Sequence, residues 1–226
     1  HCRLTGAQLH GVQAQELILY GCEASSTDWQ GAQLQQAKWT ECDLDQSDFR
    51  GADLSELICS TCSCVDARFD EAVLSSAVLQ KMNFGASDFT RAQLSKSHFV
   101  DCDLQACVLA AAQFEASVFI ECNLSQQELQ GVSLNQCVFS DCVAEQINLS
   151  SAQLAQSSFV ACRLHQANFN GVQAPMAVFS QADISGAQFI EANLQQAVLN
   201  DMIATEVNFS GADLSMTVWQ YSQARA

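Results

Sequence analysis

The sequence predicts a solenoid, a chain that winds forward through one small unit repeated without a break. Three observations lead there. From Leu4 to Trp219, every residue whose number ends in 4 or 9 is Leu, Phe, Trp, Ile, Ala or Cys, 44 positions in all. The register never slips over that distance, so no internal loop or linker divides the chain. A longer beat lies on top of the short one: Cys2, Cys22, Cys42, Cys62, Cys102, Cys122, Cys142 and Cys162 share one 20-residue spacing, and Met82 fills the gap. Self-similarity of this kind marks a repeat architecture.

A period of five fits neither a helix of 3.6 residues per turn nor a two-residue strand. A chain can bury every fifth residue if it turns a corner after each unit, so that successive units become successive walls of a tube. The stretch Ser47 to Leu54, SDFRGADL, shows two units. Phe49 and Leu54 are the inward centres, Ser47 and Ala52 are the small inward residues two places earlier, and Asp48 and Asp53 point outward. Four units make a 20-residue coil, and the aromatic residues segregate on that period. The series from Leu9 (Trp29, Phe49, Phe69, Phe89, Phe169, Phe189, Phe209) and from Leu19 (Trp39, Phe99, Phe119, Phe139, Phe159, Phe179, Trp219) are mostly aromatic; the series from Leu4 and Ala14 are mostly Leu or Ala. Burial of the centres does not by itself offset the entropy of ordering the backbone. Hydrogen bonds between coils must supply the rest, and stability then runs from neighbour to neighbour. The end layers, Leu4 and Leu9 at one end and Phe209 to Trp219 at the other, need a cover. Further sequence, a second copy or a larger protein would each supply one. Trp219 and Tyr221 are the candidate cap or dimer contact.

Units such as Ala52-Asp53-Leu54, Ala167-Asn168-Phe169, Ala192-Asn193-Leu194 and Ala212-Asp213-Leu214 follow the pattern A(D/N)LXX, and the chain resembles the pentapeptide-repeat family over essentially its whole length. The resemblance implies an all-β fold, a right-handed quadrilateral parallel β-helix. The 20-residue layer then gives about eleven uninterrupted coils, a rod on the order of 50 Å long at the usual strand spacing. The expectation is a single pentapeptide-repeat domain over 1–226. His1 is not Met and is already in register, so a fragment or a domain of a longer protein is expected.

The chain holds 25 acidic and 9 basic side chains in 226 residues, a net charge of −16. Such a surface repels nucleic acid and anionic membranes and favours basic protein partners. No run approaches 18 apolar residues, so no transmembrane helix is expected. Between Glu41 and Glu145 there are 17 acids and 5 bases; from Gln146 to Ala182 there is no acid. The wall bearing the cysteine column is acidic, and Glu41, Asp43, Asp45, Asp101, Asp103, Glu121, Asp141 and Glu145 form the candidate interaction surface. The wall of the Leu19 series carries only Glu16 and Glu56, balanced by Lys38 and Lys96.

Twelve cysteines without a visible secretory signal suggest a reducing compartment. In-register thiols one strand spacing apart are slightly too distant for disulfides, and a straight column does not converge on a tetrahedral metal. The cysteines read as small packing residues. Cys59, Cys62 and Cys64 form CSTCSC, yet all three point inward in this register, where Trp39 and Phe84 one coil away can fill the space they leave. His1, His10, His98 and His165 lie outside the inward positions, and the register suggests no nucleophile–base pair. No enzyme, cofactor or metal is expected.

Two functions are expected from the resemblance. The first is a non-enzymatic, rigid scaffold for protein interaction, as a domain of a bacterial protein associated with type VI secretion or of an effector. The second is an acidic DNA mimic that binds gyrase or topoisomerase IV, as Qnr-type members do. This chain lacks the loops that interrupt Qnr-type coils. The expected location is the cytoplasm, or delivery by a secretion system, and an end-to-end homodimer or a fusion to another domain would cover the ends.

Overall fold

The computed structural model describes residues 2–220. Among them the chain is all-β, a parallel β-solenoid in which each coil takes 20 residues. It divides into two compact units, one ending at Val118 and the other beginning at Phe119.

One wall forms three-residue strands: β1 (Ile18–Tyr20), β2 (Lys38–Thr40), β3 (Ile58–Ser60), β4 (Val78–Gln80), β5 (His98–Val100), β6 (Val118–Ile120), β7 (Val138–Ser140) and β8 (Ser158–Val160). In the first unit β1 to β5 pair in parallel and in register, so Leu19, Trp39, Cys59, Leu79 and Phe99 stack one above another. In the second unit Phe139 of β7 lies beside Phe159 of β8. The remaining walls are held by single bridges with the same offset, such as Gln33 with Asp53 and Asn148 with Asn168. Beyond β8 this wall too is reduced to bridges, Val178 with Val198 and Val198 with Val218. The fully regular part of the solenoid is therefore shorter than the eleven coils expected from the beat.

The backbone explains the five-residue period. In the unit centred on Leu34, the centre donates its N–H to Asp53 O in the next coil (2.8 Å), and Gln36 N donates to Ser55 O (2.9 Å). Asp53 N donates back to Ala32 O (2.9 Å), and Ala37 N closes a β-turn on Leu34 O (3.1 Å). Only the N–H one place after the centre is left over. The residue before the centre takes it: Ser55 N donates to Asp53 Oδ1 at 3.0 Å, Gln30 N to Asp28 Oδ1 at 3.0 Å, Ser150 N to Asn148 Oδ1 at 3.1 Å and Ser210 N to Asn208 Oδ1 at 3.0 Å. An Asx side chain is the shortest that reaches the backbone two residues on, which is the physical content of the Asp/Asn position in the repeat. The residue two places after the centre takes a left-handed conformation, as at Glu16 (φ 59) and Gln36 (φ 59). Gly85 is placed differently, one residue after Phe84, at φ 51; a Cβ there would lie 2.8 Å from Val65 Cγ1.

The interior is filled in two ways. Rings on one wall stack along the tube: Phe49 on Phe69 at 4.9 Å and Phe69 on Phe89 at 4.7 Å in the first unit, Phe169 on Phe189 at 4.6 Å in the second. Rings from opposite walls meet edge to face across it, Phe159 with Phe169 at 5.9 Å and Phe169 with Phe179 at 5.6 Å. Both geometries suit the aromatic quadrupole. The aromatic series therefore occupy facing walls, and the Leu and Ala series occupy the other pair.

Candidate interaction surface

Three corners of a coil generally close with the β-turn bond described above, although Thr27 N donates instead to Ser47 Oγ at 3.3 Å. The fourth, just after the strand wall, does not close that way at Cys22, Cys42, Cys62 or Cys142 among the described residues. There the inward thiols bond to carbonyls instead. Cys142 Sγ donates to Phe119 O and to Ser140 O, each at 3.4 Å, and Cys162 Sγ donates to Phe139 O at 3.4 Å and Val160 O at 3.5 Å. In the first unit Cys102 Sγ reaches Leu79 O and Val100 O, both at 3.4 Å. A weak S–H donor on a small side chain suits a corner whose strand carbonyl no turn N–H covers. Where the column changes to Ala182, the turn bond returns, from Ala182 N to Phe179 O at 3.3 Å, and the three-residue strand is gone.

This environment suppresses thiolate chemistry. Burial, with the charges of Asp103 and Cys102, pushes the Cys107 thiol up to about 12, and burial pushes Cys64 well above its usual value. At Cys142 the hydrogen bond with Cys122 lowers the value, but the bond with Cys162 and burial prevail and push it up to about 12. The thiolate is the nucleophile and the metal ligand, so these groups are held in their inert form. Cys59 and Cys64 are buried, and Cys59 sits in register between Trp39 and Leu79.

The outer carboxylates fall into two kinds. Asp43 and Asp103 precede their centres and accept the leftover N–H, from Asp45 N and Gln105 N, each at 3.1 Å. Asp45 accepts from Ser63 Oγ (2.5 Å) and Val65 N (2.8 Å) of the next coil. Glu145 pairs with Arg163, and His165 Nδ1 lies 3.9 Å away. By contrast Glu41 (φ 54) and Asp101 (φ 53) in the first unit, and Glu121 (φ 54) and Asp141 (φ 56) in the second, occupy exposed left-handed corners. Asp141 accepts from Ser140 Oγ at 2.7 Å. Five of the eight candidates, Glu41, Asp43, Asp45, Asp101 and Asp103, belong to the first unit and three, Glu121, Asp141 and Glu145, to the second.

Two charged clusters escape a reading of the sequence. In the first unit Asp48 is gripped by Arg50, whose Nε lies 2.9 and 3.0 Å from the two carboxylate oxygens and whose Nη2 lies 2.6 Å from Oδ2; Gln30 Nε2 adds a bond at 3.0 Å. Burial pushes the Asp48 carboxyl up, but the Arg50 bonds and charge prevail and hold it below its usual value. Alongside is an open groove of about 350 Å³ lined by Gln30, Arg50, Gly51, Asp70, Glu71 and Arg91. In the second unit His165 Nε2 lies 2.7 Å from Asp183 Oδ2, and Ser185 Oγ donates to Asp183 Oδ1 at 2.7 Å. Burial raises the Asp183 carboxyl, while His165 and Ser185 outweigh it and hold it low. The aspartate stands between serine and histidine, which leaves the histidine away from the hydroxyl and gives no nucleophile–base contact. The signal for Gln30 with Asp48 and for His165 with Asp183 is a separation of one coil less two positions, a spacing with meaning only once the 20-residue coil is known; Arg50 stands two residues from Asp48 in the same unit.

Trp219 is half exposed. Its Nε1 donates to Thr217 Oγ1 at 2.8 Å, and its ring meets Phe209 edge to face at 5.8 Å. It lines a cavity of about 190 Å³ with Leu199, Asp201, Met202, Ala204 and Gln220. Tyr221 lies outside the described residues.

The coil, the turn and the Asx bond define a class of protein, the parallel β-solenoid built from five-residue units. The chain belongs to the pentapeptide-repeat family: the model for the pentapeptide repeat region matches residues 112–174, and that for pentapeptide repeats (8 copies) matches 30–57, 67–105 and 182–217. No curated protein matches the chain in sequence. Similar solved structures include HetL, a pentapeptide-repeat protein involved in heterocyst differentiation regulation from the cyanobacterium Nostoc sp. strain PCC 7120. It is 23% identical, with a TM-score of 0.43, over 94% of this chain and 90% of HetL. Trypsin-treated QnrB1, a plasmid-mediated fluoroquinolone resistance protein, is 20% identical with a TM-score of 0.45 over 92% of this chain and 91% of its own. Likeness at this level says nothing of what this chain binds.

Proposed function

We propose that the protein is a non-enzymatic, rigid scaffold that binds a basic protein surface through its corner carboxylates. It would act in the cytoplasm, or after delivery by a secretion system, as a domain of a bacterial protein of the type VI-associated or effector kind. The observation that carries the reading is the division among the acids. Asp43, Asp45, Asp103 and Glu145 accept hydrogen bonds or ion pairs from their own chain, whereas Glu41, Asp101 and Glu121 stand exposed at corners. Backbone amides across each unit are tied to neighbouring coils, so the corners are displayed on a stiff frame. Ready-placed charge gives rate and specificity to association with an oppositely charged patch.

The test is affinity capture from the source cell with the wild type and with Glu41→Lys, Asp101→Lys, Glu121→Lys and Asp141→Lys combined. The partner should be recovered with the wild type and lost with the variant; equal recovery overturns the reading. These four positions are chosen because reversing Asp43 or Asp103 would also remove a backbone cap. The second reading is the DNA mimic, favoured by the excess of acids over bases between Glu41 and Glu145. It requires that the wild type inhibit or protect gyrase or topoisomerase IV in a supercoiling or decatenation assay, and that the same variant fail to. A wild type without effect on either enzyme ends it.

A further inference from the structure

The apolar residues left outside the second unit are not scattered. Its exposed large apolar side chains are Val138, Met176, Ile203, Met216, Val218 and Trp219, and all but Ile203 lie on the wall that begins at β7. That wall comprises 136–140, 156–160, 176–180, 196–200 and 216–220, and contains no Asp, Glu, Lys, Arg or His. In a chain of net charge −16, an uncharged wall five coils tall is a local exception. Its central row is Val138, Ser158, Val178, Val198 and Val218, joined by parallel bridges. Strand preference accounts for the valines. It does not account for Met176 (φ 59) and Met216 (φ 60), which hold left-handed corners, 44% and 76% exposed, where most other corners are polar or glycine. Methionine is frequent on contact surfaces because it is flexible and polarizable.

We propose that this wall is a self-association surface, on which a second copy of the chain packs wall to wall about a two-fold axis. Two observations select that occupant. Charge is the first: apposing the acidic walls of two copies would set carboxylate against carboxylate, whereas two uncharged walls meet with the acids turned away. Period is the second. The rungs recur at one strand spacing, as the stacked rings of Phe139 and Phe159 show at 4.7 Å. A surface ribbed at that interval meshes along its length with another ribbed alike, as two sheets do in face-to-face packing about 10 Å apart. Its own copy has the matching period by necessity, and a two-fold contact is self-complementary. Five rungs span roughly 20 Å, so one narrow wall falls well below the about 800 Å² per partner of a standard interface. The dimer is accordingly weak and concentration-dependent. Salt tightens it, because screening relieves the repulsion between two chains of like net charge. This inference is independent of the proposed acidic docking surface.

Sedimentation equilibrium on the full chain, from low to several hundred micromolar and at two salt concentrations, tests it. The wild type should show a monomer–dimer equilibrium that shifts toward dimer at higher salt. Val178→Asp with Val198→Asp should remain monomeric throughout. The milder Met176→Gln with Met216→Gln, which adds no charge, should weaken dimerisation several-fold. A control with the same added charge on another wall, Ser133→Asp with Gln153→Asp, should dimerise as the wild type does, and circular dichroism melting should show all of them folded. A wild type that is monomeric at every concentration overturns the proposal. So does a dimer that survives the wall variants and is lost in Trp219→Ala, which would place the contact at the end of the unit.

Discussion

Two corners of the second unit turn the same angle with different atoms. At Ala182 the amide N–H reaches back to Phe179 O at 3.3 Å, a β-turn like those at the other three corners. At Cys142 and Cys162 that bond gives way to the thiols, which reach the carbonyls of Phe119 and Phe139 one coil back, while β7 and β8 run a full three residues. Where the wall stays extended, the parallel ladder runs on through Ser140 and Val160, the turn bond is absent, and the inward thiol adds a donor to the strand carbonyls. Cysteine is small enough for the inward position and carries a donor. The column is thus a corner type, and its regularity reflects the repeat of an extended wall rather than any thiolate chemistry.

The comparison breaks most completely if the wall that feeds these corners is lost. Phe139 is buried and stacked between Phe119 at 4.8 Å and Phe159 at 4.7 Å. Phe139→Asp removes a large buried ring and leaves a carboxylate with no counter-charge inside the tube. The expected cost is at least about 4 kcal/mol, read as a collapse of the urea midpoint or failure to fold. Val138→Asp, one residue away on the outward face, should cost within about 0.5 kcal/mol. Equal effects at the two positions would mean that the inward register is wrong.

Next in size is the corner itself. Cys142→Ala removes two S–H···O contacts and leaves a small void, with an expected loss of about 1 kcal/mol in equilibrium urea unfolding. Cys142→Ser, which restores a donor, should recover part of it. If Ala and Ser at 142 are equally destabilised, the sulfur serves by volume alone and the two corners differ only in shape. In the folded state the raised thiol should also react with a disulfide reagent far more slowly than exposed Cys2.

How much of this the sequence shows depends on whether the signal is periodic. The five-residue beat, the 20-residue coil, the inward cysteines and the two aromatic series are all legible, because each recurs at a fixed interval and burial enforces it. The candidate surface is legible only as a list of acids. Asp43 and Glu41 look alike in the sequence, yet one caps a turn and the other stands at a corner, and which is which follows from the leftover N–H one place after each centre. Asp48 reads as an outward charge; its grip by Arg50 two residues on depends on the fold of the arginine side chain, and the Gln30 bond on reach across coils. The His165–Asp183 contact likewise has no local motif. The shortening of strands beyond β8 is hidden because Ala182 and Cys162 are equally acceptable as small inward residues.

The smallest expected effect sharpens a second pair. Asp48 in the first unit and Asn168 in the second hold the same address, the residue before an aromatic centre on the Leu9 wall, and each accepts the leftover N–H: Arg50 N at 3.2 Å and Asn170 N at 3.1 Å. Asn168 shows that the cap needs an oxygen and not a charge. Asp48→Asn should therefore keep the turn and lose the charge pairing, chiefly with Arg50 and more distantly with Arg68, together with the Gln30 bond to Oδ2, a change of less than about 1 kcal/mol at neutral pH. Its signature is the pH dependence. Because the Asp48 carboxyl is held low in the folded state, its charged form adds stability above the unfolded value of about 3.9. That contribution disappears as the pH falls through the lower folded value. The urea midpoint of the wild type should thus approach that of Asp48→Asn as the pH is taken from 7 to 3. Asn168→Asp should not add a comparable pH-dependent gain, since no arginine stands two residues on; Asn170 is there instead. If Asp48→Asn and the wild type differ by the same amount at pH 7 and pH 3, Arg50 is not what distinguishes the two caps, and the difference between them is one of composition only.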